Sequence, residues 1–194
     1  MKVSFIFIVF VLVAFHSSAQ QKTMTSPWQF HSINSVGLLE GESGSAFQIL
    51  TINGAQYGSW FGGIGLGIDY YRYRTVPLFF DFRKEFGKKL NKLFAYLDGG
   101  INFSWVTDNQ KMAYVISEQF HNGFYGDLGF GYKAGIGKKD HLLLSLGYSY
   151  KYLSETYLSP VYNNFFINAD NYSSGQEKIS YELNRINIKM SWEF

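Results

Sequence analysis

Few side chains in this chain are placed to do chemistry. It has no cysteine, which excludes disulfides, thiolate zinc sites and a thiol nucleophile. Three histidines, His31, His121 and His141, lie beyond the N-terminal leader described below. A serine–histidine–acid set needs its base within about 3 Å of the nucleophile. The chain pattern puts His31 on an early strand, His121 beside an outer loop and His141 at a turn on the opposite side. That separates them along the molecule, so neither a triad nor a histidine metal site is expected. Asp140 and His141 are adjacent, but neighbours on a strand point to opposite faces. The run Gly62-Gly63-Ile64-Gly65-Leu66-Gly67 invites comparison with a phosphate-binding loop. Its glycines alternate as a strand face does, and no helix follows, so that role is rejected. No catalytic, cofactor-binding or metal-ligating residue is expected.

What the remaining charged residues do depends on the elements that carry them. Beyond Gln20 the chain alternates with period two between Gly-, Asn-, Asp- and Lys-rich turns. Leu142, Leu144, Leu146, Tyr148, Tyr150 and Tyr152 share one face, with Ser145, Gly147, Ser149 and Lys151 on the other. The pattern predicts eight strands, near 28–40, 44–54, 59–74, 76–86, 92–107, 122–137, 141–154 and 179–194. The first two are the least regular, because neither face of Phe30 to Leu39 is cleanly apolar. Short links at Asn53–Gly58, Gly87–Lys92 and Gly137–Asp140 face long ones at Thr107–His121 and Ser154–Lys178. The links near Glu40–Ser43 and Thr75 are short, although they fall on the long-loop side. Short periplasmic turns and longer outer loops are the asymmetry of bacterial membrane barrels. Pro77 fits the first residue of a strand, where a missing N–H is tolerated.

Composition agrees with this reading. There are 15 Tyr, 19 Phe and 20 Gly but only 3 Pro, and charged residues make up 16% against roughly 25% in soluble domains. Mean hydropathy is slightly negative, which argues against a bundle of membrane helices. The net charge of +2 is too small to suggest a nucleic-acid partner. At the N-terminus, Lys2 precedes the uncharged apolar run Ser4 to Phe15, and Ser17-Ser18-Ala19 follows. That run is too short for a membrane helix, which needs ~20 residues. It matches a secretory signal peptide, residues 1–19, cleaved after Ala19. The mature domain, 20–194, then carries 16 bases against 15 acids, a net charge of +1.

Alternation alone would also suit a soluble barrel with its apolar face inward around a ligand. Three features favour lipid. The apolar faces carry no charge, which would cost ~2–4 kcal/mol near the bilayer midplane. Aromatic residues gather at strand ends: Trp60, Trp192 and Phe194 on the periplasmic side, Tyr70, Trp105, Tyr150 and Tyr152 on the outer side. The opposite face mixes glycine with both signs of charge, a poor solvated exterior. Closure removes open edges, so the last strand is expected to pair with the first. The fold class expected is an all-β, eight-stranded, antiparallel up-and-down transmembrane barrel.

Its interior would hold Asp69, Asp81, Asp98, Asp127 and Glu193 with Arg83, Lys133, Lys151, Arg185 and Lys189. Five acids against five bases suggest internal ion pairs, since unpaired confined charges are costly. Eight strands leave an interior only wide enough for side chains. Glycines 63, 65, 67, 129, 131 and 135 would make room for long neighbours such as Arg83 and Tyr71. A plugged lumen rather than a wide pore follows.

The terminal Phe194, with Trp192, Met190, Ile188 and Ile186 at every second position before it, resembles the last strand of small Gram-negative outer-membrane β-barrels of the OmpA and OmpX type. Pro77-Leu78-Phe79-Phe80-Asp81-Phe82-Arg83 and Gly123-Phe124-Tyr125-Gly126-Asp127-Leu128-Gly129 resemble segments of uncharacterised outer-membrane barrel-domain proteins. The resemblance spans the mature chain and implies outer-membrane location. It also implies contact with outer-membrane lipids and reading of Ile188, Met190, Trp192 and Phe194 by the outer-membrane assembly machinery. It implies no catalytic residue and no cofactor.

Tyr157, Tyr162, Phe165, Phe166 and Tyr172, interspersed with asparagines, fall in the last outer loop and are candidates for binding an extracellular sugar or protein. The same rings could instead pack on one another or sit in the outer leaflet. The function expected is that of a non-enzymatic structural or surface-interaction barrel with a plugged polar lumen; the alternatives are a lipid-processing enzyme such as one acting on lipid A, and a narrow channel for small hydrophobic compounds.

Overall fold

A computed structural model describes residues 27–42, 44–87, 91–107, 111, 115–137, 140–161 and 173–194. The expected leader lies outside the described residues. Nine strands follow in chain order: β1 (Trp28–Gly41), β2 (Gly44–Tyr57), β3 (Trp60–Tyr70), β4 (Arg74–Phe86), β5 (Lys92–Ser104), β6 (Ser117–His121), β7 (Gly123–Gly135), β8 (His141–Val161) and β9 (Ser173–Glu193). All pairings are antiparallel.

β6 and β7 form one stave of the barrel. His121 stands opposite Ser154 and Tyr125 opposite Lys151, so three residues on one strand face two on the other. That is a β-bulge. Gly123 occupies it, where an added Cβ would collide with the Tyr152 carbonyl. The molecule is therefore an eight-staved barrel. It closes where β1 meets β9, from Ile33 opposite Glu193 to Glu40 opposite Ile186. Phe194 completes the seam by exchanging backbone hydrogen bonds with Ser32 at 2.9 and 3.0 Å.

The outer wall is apolar because each strand turns its hydrophobic parity outward. Leu38, Ile64, Phe80, Leu97, Phe130 and Ile188 are all more than half exposed. The exception is the β1–β2 pair, where Asn34 stands opposite Thr51 on this wall. That pair is why the first two strands read as irregular. Girdle rings pair at the end that carries the short turns, Trp28 with Tyr57 at 4.9 Å and Trp60 with Phe82 at 5.1 Å. Lys84 snorkels there, its Nζ 3.9 Å from the Trp60 ring centre. At the outer end Arg74 lies 3.8 Å over Trp105.

Several boundaries differ from the sequence expectation. β2 runs on to Tyr57, leaving the two-residue turn Gly58-Ser59, where Gly58 takes φ 62°. Pro77 is the fourth residue of β4, not its first. Lacking an N–H, it interrupts the ladder with β3, whose pairing lapses opposite it at Gly67 and Ile68. The two long outer links are partly strand: β6 falls within one, and β8 and β9 extend through most of the other.

Candidate functional site

The ten charged side chains assigned to the inner face by parity all lie inside the barrel, none more than 7% exposed. They form three layers. Near the short-turn end, Lys133 Nζ lies 2.7 Å from Glu85 Oε1 and 2.5 Å from Glu193 Oε1. Lys92 reaches Glu85 at 2.6 Å, and Gln56 donates to the same carboxylate at 3.0 Å. His31 Nδ1 sits 3.0 Å from Glu193, and His141 stands opposite Glu193 in the ladder. The expected separation of the histidines therefore fails for this pair. Barrel closure brings the first strand beside the last, which spacing along the chain does not reveal. His121 remains apart at the outer rim, its Nε2 2.9 Å from Thr156 Oγ1.

In the middle layer the register aligns Asp81, Asp98 and Asp127 on adjacent strands. Arg83 grips Asp81 through Nε at 2.9 Å and Nη2 at 2.8 Å. Asp127 accepts from Lys189 at 3.0 Å, Asn187 at 2.8 Å and Tyr96 at 2.9 Å. Toward the outer end Lys151 is ion-paired with Asp69 and also reaches Asn102 at 3.1 Å and Thr75 at 3.2 Å. Arg185 donates to the Tyr71 carbonyl at 2.7 Å and to the Gly44 carbonyl, tying two outer links to β9.

Two residues join this interior that the sequence reading omitted. Glu85 shares the parity of Asp81 and Arg83 and was legible from β4 alone. Glu155 lies past the predicted end of its strand, so its orientation needed the longer β8. With them the described interior holds seven buried acids and five buried bases, and each added acid has a cation reaching it from a less buried position, Lys92 at Glu85 and Arg72 at Glu155. The interior is also partly apolar: Ile33, Leu50, Ile52, Phe61, Phe79 and Tyr125 pack as one cluster. The inner glycines make room for rings rather than for Arg83 or Tyr71. A Cβ at Gly65 would strike Phe79, one at Gly131 would strike Phe94, and one at Gly147 the Tyr96 hydroxyl.

The second region is the outward hairpin. β8 and β9 each have 21 residues, against 14 or fewer in the other strands, and pair from His141–Glu193 up to Val161–Ser173. With β6 they make a three-stranded extension beyond the β1–β9 seam. Tyr157, expected in a loop, is on β8 and hydrogen-bonds Glu177. The alternation weakens in this stretch because no bilayer sorts its faces, so its strand character was missed. Tyr162, Phe165, Phe166 and Tyr172 lie outside the described residues. Tyr181 bonds Glu155, and Arg72 stacks on the Tyr181 ring at 4.1 Å. A polar groove of about 200 Å³ lies between Gln119, Thr156, Tyr157 and Gln176.

Ile188, Met190, Trp192 and Phe194 all project from the outer wall, 46–55% exposed. A groove of about 700 Å³ crosses this wall past Val36, Ile49, Leu66, Met190 and Trp192. Among the described residues no group of three His, Cys, Asp or Glu side chains is arranged to hold a metal ion.

No family model and no curated protein sequence matches the chain. Solved structures do. Neisserial surface protein A is similar at 9% identity, over 87% of this chain and 96% of that one, with a TM-score of 0.50. The outer membrane protein OprG from Pseudomonas aeruginosa is similar at 10% identity, over 85% and 95%, with a TM-score of 0.52. At such identities the likeness is one of fold: this chain has the eight-stranded β-barrel fold of small outer-membrane proteins.

Proposed function

We propose that the protein is an outer-membrane barrel with a closed lumen whose outward β6–β8–β9 extension is its interaction element, contacting an extracellular sugar or protein. The observation that carries this reading is the contrast between the two regions. Arg185, Tyr125, Phe79 and Lys151 are large side chains enclosed in the outer and middle parts of the interior, and Lys133 and Glu193, each 3% exposed, fill its other end. The hairpin, by contrast, presents tyrosines, amides and a polar groove above the rim, where exposed segments commonly carry function. A non-enzymatic role fits the same geometry. His121 receives the Ser104 hydroxyl on its backbone carbonyl at 3.0 Å and turns its ring to Thr156, while the His31 ring lies against Glu193 beside Lys133. The apolar wall, the two girdles and the terminal Ile188–Met190–Trp192–Phe194 series support lipid contact and recognition by the assembly machinery.

The test removes the extension and keeps the barrel. Thr156 stands opposite Lys178, so replacing residues 157–177 with Asn-Gly closes the hairpin with a two-residue turn. Intact and shortened proteins in nanodiscs are applied to a bacterial-surface oligosaccharide array and to an extracellular-matrix protein panel. Binding by the intact barrel and its loss on shortening is the expected result; no binding by either, or retention by both, overturns the reading. Planar-bilayer recordings should show no stable large conductance steps, and lipid A from expressing cells should keep its mass profile.

A further inference from the structure

Three carboxylates stand side by side in the middle of the barrel. β4, β5 and β7 place Asp81, Asp98 and Asp127 in direct register, each no more than 2% exposed. Two cations serve them. Arg83 is committed to Asp81 by three hydrogen bonds at 2.8–3.0 Å. Lys189 is committed to Asp127 at 3.0 Å and stands off Asp98 at 3.7 Å. Asp98 is the carboxyl left over. It is 1% exposed, and neither of its oxygens accepts a hydrogen bond. A buried carboxylate in that state loses its hydration without replacement, and like charges alongside it raise the penalty. Neutralisation removes both problems, because a carboxylic acid has an O–H to give and its neighbours are acceptors.

We propose that Asp98 is a proton-binding site, holding a proton at neutral pH and donating it to the Asp81 carboxylate. Asp81 is the better acceptor of the two neighbours. Asp127 already takes bonds from Tyr96, Asn187 and Lys189, whereas among the described residues Asp81 is bound by Arg83. Two carboxyl groups sharing one proton because both cannot ionise is an established arrangement in proteins. Besides Asp81, Arg83, Asp127 and Lys189, the titratable groups around it are Tyr96 on β5 and Tyr125 on β7. Their hydroxyls donate toward Asp127 at 2.9 and 3.4 Å and so leave Asp98 unserved. A sodium ion could balance the same charge and would be the competing occupant. The site rests on the closed lumen proposed above, since a hydrated channel would solvate Asp98.

The test is infrared spectroscopy of the refolded full-length mature barrel with ¹³C-labelled aspartate at neutral pH. A protonated-carboxyl carbonyl band that moves with the label is expected. Asp98→Asn should abolish it, and so should Asp127→Asn, because Lys189 is then free to pair with an ionised Asp98. Asp69→Asn, in a separate layer, should leave it in place. The spectrum should not change when sodium is exchanged for N-methylglucamine. Absence of the band in the unsubstituted protein overturns the proposal without any variant having to fold. Its survival in Asp98→Asn, or its appearance only without sodium, also overturns it. Asparagine mimics the neutral acid, so Asp98→Asn should unfold at no lower urea concentration than the parent. A clearly lower midpoint would mean the ionised form is needed. Conductance in bilayers reports separately on whether the lumen is closed.

Discussion

The barrel proper and the extension above it use the same alternating strands, but different physics holds them. In the barrel each strand separates an apolar wall from a packed interior, and the ten inward charges assigned by parity are all buried, with Lys151 and Asp69 fully enclosed. In the extension, beyond Glu155 on β8, neither face is enclosed to that degree. Its cross-strand contacts are single hydrogen bonds, such as Tyr152 to Ser180 at 3.0 Å and Tyr157 to Glu177. Breaking a buried ion pair strands a charge that water cannot reach, whereas an exposed hydroxyl that loses its partner turns to solvent. The two regions should therefore tolerate substitution very differently, and that difference can be measured.

The largest effect is expected inside. Lys189→Met leaves the buried Asp127 carboxylate without its cation and should destabilise the barrel by about 3–5 kcal/mol. Urea titration followed by heat-modifiable gel mobility reads this as a strong fall in midpoint, and an unchanged midpoint would break the claim that the lumen is tightly paired. On the wall, Ile188→Arg puts a charge into the lipid face and should cost about 2–4 kcal/mol. The same titration in lipid vesicles checks it. Little effect there would count against Ile188 meeting hydrocarbon. Gly65→Ala should cost about 1–3 kcal/mol, because the new methyl must displace the Phe79 ring. Pairing it with Phe79→Leu should recover part of the loss. The smallest effect belongs to the extension: Tyr157→Phe should leave the midpoint unchanged. A marked fall would show that the hairpin is part of the folding core and remove the contrast.

Much of the barrel was readable from residues alone. The parity of Asp81, Arg83, Asp98, Lys133 and Lys189 assigned them to one face because a one-residue slip would move each into lipid. The same parity contained Glu85. Less could be read where that pressure is weak. Asn34 and Thr51 break the wall pattern, and the hairpin beyond Ser154 has no bilayer to sort its faces, so Tyr157 read as a loop residue. Pro77 read as a strand start because local rules favour that position, whereas the structure accommodates it by dropping ladder bonds to β3.

The sequence by itself determined which residues face lipid and which face inward, where most strands lie, and that Phe194 ends a lipid-facing strand. These depend only on the two-residue period of a strand in a bilayer. The tertiary structure decided who meets whom. Pairing of β1 with β9 brought His31 to Glu193, and the register of β4, β5 and β7 set Asp81, Asp98 and Asp127 side by side. Stagger between strands is a property of closure and of the turns, and no single strand carries it.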